Sequence, residues 1–212
     1  MDQNEVKQET QQDNEKTIKK ALILGILSTT TTLITAIIGR STTQIVDFIR
    51  RLMEMISTLV SLLLFRHNLK EVSQQKIEQN NKRVKVLINL TLIASGIMMI
   101  FIGIVKYRLG IGHKNVIPGF IVSLLGVILN FYFFLKYRSL LKVKYEPIIQ
   151  SQYNLFKTKT IVDSCVMLTV GVMIVCPTFA YLDLLDFICS VVVSIVLCFQ
   201  GIKNLLTKEE EA

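Results

Sequence analysis

Asp47-Phe48-Ile49-Arg50-Arg51-Leu52-Met53-Glu54 lies inside a stretch, residues 43–65, that is otherwise apolar enough to cross a bilayer, and Asp163 is embedded in a later apolar segment in the same way. An ionisable side chain at the bilayer centre costs about 2.5 to 3.5 kcal/mol on insertion scales, so such residues face a bundle interior, pair with one another or line an ion path. The spacing of Asp47, Arg50, Arg51 and Glu54 puts all four on one helix face.

The chain around this stretch is that of a membrane protein. Hydrophobic residues make up 51% of it and the mean hydropathy is +0.49, although 19% of residues are charged, so the charge must be segregated. Six apolar runs separate from it, at 21–38, 43–65, 86–105, 116–135, 160–180 and 184–202. Each is close to the roughly 20 residues that a helix needs to span hydrocarbon. They predict an all-α bundle of six transmembrane helices over residues 21–203, with no separate soluble module. Residues 1–20 are rich in Gln, Glu, Asn, Asp and Lys and read as a disordered tail rather than a signal peptide, and 204–212 as a short second tail.

Lys and Arg set the orientation. Eighteen of the 24 fall before residue 21, in the connections 66–85 and 136–159, or after residue 202. By the positive-inside rule both termini are cytoplasmic and the protein is a multi-pass protein of the cell membrane. The same distribution accounts for the net charge of +8 without nucleic acid, for which no binding motif is present. The lipid bilayer is the expected partner of the basic loops.

Other chemistry is thin. The four cysteines stand at no metal-site spacing and read as small apolar residues; His67 and His113 form no cluster. No nucleophile with a nearby base, no His-Glu zinc motif and no phosphate loop argues for an enzyme or a resident cofactor. Small residues four apart, such as Ser57 and Ser61 or Ser190 and Ser194, let helix backbones approach closely, and the latter pair suggests a homodimer formed through membrane helices. Ser28-Thr29-Thr30-Thr31-Thr32 in the first helix, and Asn130 in the fourth, either bond back to helix carbonyls or coat a wet passage.

The run Ser41 to Ser57 resembles the second-helix signature of cation diffusion facilitators, the cation efflux family, in which a serine, an acidic residue, and then ligands four apart recur in order. Lys159-Thr160-Ile161-Val162-Asp163 is similar to the fifth-helix motif, and Tyr181-Leu182-Asp183, Ser190 and Gln200-Gly201-Ile202-Lys203 resemble the start and end of the sixth helix. The resemblance spans about residues 20 to 205. It implies a six-helix bundle of the cation efflux type that exports a divalent cation, zinc or similar, in exchange for protons, through two ligands on each of the second and fifth helices. The first ligand on each helix falls on Arg50 and Lys159, the second on Glu54 and Asp163. The expected cation or proton site is therefore Glu54, Asp163 and Asp47, with Arg50 and Lys159 as counter-charges that snorkel away toward opposite interfaces. The alternative is a non-transporting protein on the same scaffold, in which Arg50 with Glu54 and Lys159 with Asp163 are structural ion pairs.

Overall fold

Apolar segments in hydrocarbon must satisfy their backbone groups internally, and those of this chain do so as helices. The computed structural model describes residues 3–39, 42–71, 73–109, 117–176 and 182–206; side chains at 3–9, 35–36, 38–39, 42–47, 106, 118–119 and 182–183 lie outside the description. Six helices and no strand occur among the described residues: α1 (Gln3–Gly39), α2 (Thr42–Asn68), α3 (Gln74–Leu109), α4 (Ile117–Val143), α5 (Pro147–Val175) and α6 (Leu182–Leu206).

Five helices, all but α2, contain spans long and apolar enough to cross a membrane. In α2 the apolar stretch is interrupted by Arg50, Arg51 and Glu54. Its neighbours show that it runs through the same thickness: Arg51 meets Ser28 of α1, and Arg66 meets Glu15 of α1 at 2.6 Å, so the two helices lie antiparallel from mid-length to end.

Cross-helix contacts fix the rest of the arrangement. Phe134 stacks on Tyr153 and Phe133 packs on Phe156, which sets α4 antiparallel to α5. Ser194 Oγ donates to the Gly96 carbonyl at 2.6 Å, and Cys198 approaches Ile93, which sets α3 antiparallel to α6. Along that seam the backbones nearly touch: a Cβ on Gly96 would lie 2.7 Å from Cys198 Sγ, and one on Gly201 2.6 Å from Ile93 Cγ1. α1, α2, α4 and α5 pack as a ring through the pairs α1/α2, α4/α5, α1/α4 and α2/α5, while the α3/α6 pair closes against α2 and α5. The outward faces carry exposed Leu27, Leu63, Ile97, Phe101, Ile128, Leu168, Ile195 and Phe199, the apolar surface that lipid would cover.

The structure departs from expectation at the N-terminal segment. Residues 3–20 do not form a separate disordered tail: α1 begins at Gln3, Asn14, Thr17 and Ile18 are buried, and Asp13 pairs with Lys136 at 2.9 Å. This polar segment continues the membrane helix, with Asn14, Thr17 and Ile18 buried against the bundle, and the partly exposed pairs to Lys136 and Arg66 add little to that. Ser194 is 3% exposed and bonds to α3, and Ser190 lies against Gly103, so this small-residue pair packs α6 on α3 within the chain. α6 continues to Leu206, past residue 203, where the last membrane helix is expected to end. Cys165, Cys189 and Cys198 are half-buried, and Cys176 is exposed. His67 is exposed and 3.6 Å from Glu71; His113 and residues 207–212 lie outside the described residues.

Candidate cation site

Period 3.6 lines up Arg50, Glu54, Ser57, Thr58 and Ser61 on α2, and Gln152, Phe156, Lys159 and Asp163 on α5. Arg50, Glu54 and Thr58, with Phe156, Lys159 and Asp163, line the inside of the ring of four helices, whereas the Ser57 hydroxyl meets that of Thr91 on α3 at 2.7 Å. Arg50 and Glu54 are each 5% exposed and Asp163 is 3% exposed, so charges have been taken out of water and must find partners inside.

Arg50 is the hub. Its Nη1 lies 3.7 Å from Glu54 Oε1, one turn along α2, and its Nη2 donates to Asp163 Oδ1 on α5 at 3.4 Å. Lys159 Nζ reaches back from α5 to Glu54 Oε2 at 3.1 Å and lies 4.8 Å from the centroid of the Phe156 ring, within cation–π range. Asp163 Oδ2 accepts from Asn130 Nδ2 of α4 at 2.7 Å. Arg51 Nη1 donates to Ser28 Oγ of α1 at 2.7 Å. All four helices of the ring thus contribute a polar group. Between them is a cavity of about 50 Å³, lined also by Gly25, Thr29, Thr58 and Gly126, with Phe133 and Phe156 on its wall.

Glu54 and Asp163 are brought together as the sequence suggests, but the basic residues are not where snorkelling would put them. Arg50 points into the bundle between the two carboxylates, and Lys159 bonds across the helix interface to Glu54. Each stem is long enough to reach an interior carboxylate, and an ion pair in low dielectric satisfies partners that a retreat to the interface would leave as bare buried acids. The backbone of Asp47 belongs to α2, but its side chain lies outside the described residues. Among the described residues no three His, Cys, Asp or Glu side chains gather as a metal cluster.

The hydroxyl run divides between its two possible uses. Thr29 to Thr32 each donate to the carbonyl four residues earlier, at 2.8 to 2.9 Å, while Ser28 and Thr29 also line the cavity. Two contributors had only a faint signal in the sequence. Asn130, the amide in an apolar segment, proves to be the α4 partner of Asp163. Gly126, four residues before it on the same face, gives that carboxylate its room: a Cβ there would lie 2.7 Å from Asp163 Oδ2.

Curated proteins yield no significant match to this chain. A family model does: that of the cation efflux transmembrane domain, over residues 18–207. The matched region takes in the second half of α1 and all of α2 to α6, including every residue of the charged cluster. With its apolar helices and this match along most of its length, the chain belongs to the cation efflux transmembrane domain family, a family of membrane cation transporters.

Proposed function

We propose that this chain is a secondary-active transporter that exchanges a cation for protons, with Glu54 and Asp163 as the exchange site and Arg50 and Lys159 as internal counter-charges. The observation that carries this is the pair of buried carboxylates from α2 and α5, joined by Arg50 beside a polar cavity at the centre of the ring. Carboxylates held by mobile side-chain cations can trade those partners for an arriving ion without a bare charge ever standing in hydrocarbon. The resemblance implies a divalent cation such as zinc. A four-ligand tetrahedral zinc site would need ligands at positions 50 and 159, and an arginine and a lysine there supply positive charge in place of lone pairs. Positions 50 and 159 therefore argue against tetrahedrally held zinc as the cargo.

The orientation that goes with this function puts the basic end of the bundle in the cytoplasm of a cell-membrane protein. α1 and α6 place residues 3 and 206 at that same end, with Lys16, Lys19, Lys20, Arg66 and Lys70.

A second reading has an observation of its own. The ion pairs at 3.1, 3.4 and 3.7 Å compensate the carboxylates within the chain, as a structural lock would. Purified protein in proteoliposomes, given a panel of mono- and divalent cations with a pH dye inside, separates the two. Wild type should show cation-dependent proton flux that Glu54→Gln and Asp163→Asn abolish while the protein stays folded. Wild-type vesicles that move no cation above empty-vesicle leak would select the lock.

A further inference from the structure

From the donor chemistry and the charge balance of this cavity we infer that its cargo is a single monovalent, oxygen-seeking cation of the alkali class, which takes the place of the Lys159 ammonium on Glu54 while Arg50 stays. The inference rests on the exchange-site function proposed above and narrows it.

The cavity offers hard oxygen. Glu54 Oε1, on a residue 5% exposed, has no hydrogen-bond partner among the described residues and is met only at ion-pair distance by Arg50. Thr29 and Thr58 both line the cavity, and their hydroxyl protons are committed to the carbonyls of Gly25 at 2.8 Å and of Glu54 at 3.0 Å. What those hydroxyls have left for the cavity is lone pairs, so they present neutral oxygen ligands. No His or Cys lies among the lining residues, and the one sulfur is the Met55 thioether. Carboxylate and neutral oxygens select hard cations over those that favour nitrogen and sulfur. The cavity of about 50 Å³ has room for a small ion together with some of its water.

Charge decides the valence. The charged side chains that line the cavity, Arg50, Arg51 and Lys159 against Glu54 and Asp163, sum formally to +1, so an added ion adds its whole charge to a positive site unless a built-in cation departs. Lys159 is the one able to leave. It holds Glu54 by one contact at 3.1 Å, its side chain is 13% exposed, and its ammonium sits on a flexible four-carbon stem. Arg50 bridges α2 and α5, is 5% exposed and carries a planar fork that fixes it between two carboxylates. Departure of Lys159 alone makes room for a single positive charge. A divalent ion would require a second built-in cation to leave as well, either Arg50, which links the two helices, or Arg51, which is held by Ser28 of α1.

The test uses the full chain, with Li⁺, Na⁺ and K⁺ set against Mn²⁺ and Zn²⁺. Ion binding is read in detergent as a rise in melting temperature, and ion movement is read in proteoliposomes. At least one alkali ion should stabilise wild type saturably and be transported. Lys159→Gln, which removes the internal competitor, should lower that ion's half-saturating concentration by about tenfold, the scale of one charge-assisted hydrogen bond. Lys159→Arg, which keeps the charge and grips the carboxylate with a fork, should raise it, and serves if the glutamine variant does not fold. Divalent ions saturating below every alkali ion, or half-saturation indifferent to residue 159, would overturn the inference and leave cation exchange standing. Wild type that neither binds nor moves any of the five ions would overturn both.

Discussion

Glu54 takes its behaviour from two different cations, and the difference can be measured. Lys159 has Glu54 as its carboxylate partner at 3.1 Å, whereas Arg50 also holds Asp163. Glu54→Gln therefore strands Lys159 more than Arg50, at a cost that for a broken buried pair runs to about 3 to 5 kcal/mol and is smaller where the stem can turn toward water. The lost melting temperature should return when Lys159→Gln is added. It should not return with Arg50→Gln, which leaves Asp163 short of its cation, and equal rescue by both would show that Arg50 is not the hub. Gly126 acts on the other acid. Gly126→Ala puts a methyl group 2.7 Å from Asp163 Oδ2, so the carboxylate must turn away from α4 and Asn130. Overpacking of this kind costs about 1 to 3 kcal/mol. The expected outcome is a folded protein with a raised half-saturating cation concentration in flux assays, and unchanged saturation would detach Asp163 from the site.

At the scale of elements, two seams make opposite demands on glycine. On α6, Gly201 lies against Ile93 and the Asn89 carbonyl, where a Cβ would come within 2.6 and 2.9 Å; on α1, Gly25 has nothing within 4 Å of the same atom. Gly201→Ala should lower the melting temperature, and Gly25→Ala should hold or raise it, since alanine gains up to about 1 kcal/mol over glycine inside a helix. The start of α5 offers a further check. Glu146 is its N-cap residue, in extended conformation, yet makes no side-chain cap bond, and Pro147 follows it. Burial pushes its carboxyl above the usual range, opposed by Lys144, so the folded chain favours the neutral form and loses stability as pH rises through that raised value. Glu146→Ser supplies a capping oxygen and removes this charge, so it should stabilise by about 1 kcal/mol. The gain should be larger at pH 7 than at pH 4, as followed by thermal unfolding in detergent.

For the whole molecule, the antiparallel succession of helices makes one end basic and leaves Cys176, exposed at the end of α5, at the other. If the basic end is cytoplasmic, a membrane-impermeant thiol reagent applied to intact cells should label Cys176, in a chain whose other cysteines are serine. It should not reach a cysteine placed at Lys70 until the cells are opened. The reverse pattern would invert the orientation.

The sequence by itself determined the membrane class, the number of helices and the two helices that carry the buried acids. Each of these follows from local quantities: the length of an apolar run, the period of a helix, and the cost of a charge in hydrocarbon. That Glu54 and Asp163 must be answered within the bundle was legible for the same reason. Which cation answers which acid was not. Lys159 lies four residues from Asp163 on one helix, yet it bonds to Glu54 on another. Arg50 has an interface within reach but turns inward to join two helices. Asn130 and Gly126 enter the site only because α4 packs on α5, and the polar stretch before residue 21 continues α1 with Asn14, Thr17 and Ile18 buried against the bundle. These choices belong to the tertiary structure, because the energy of a buried charge depends on its partner's distance in space, and spacing along one helix does not give that distance.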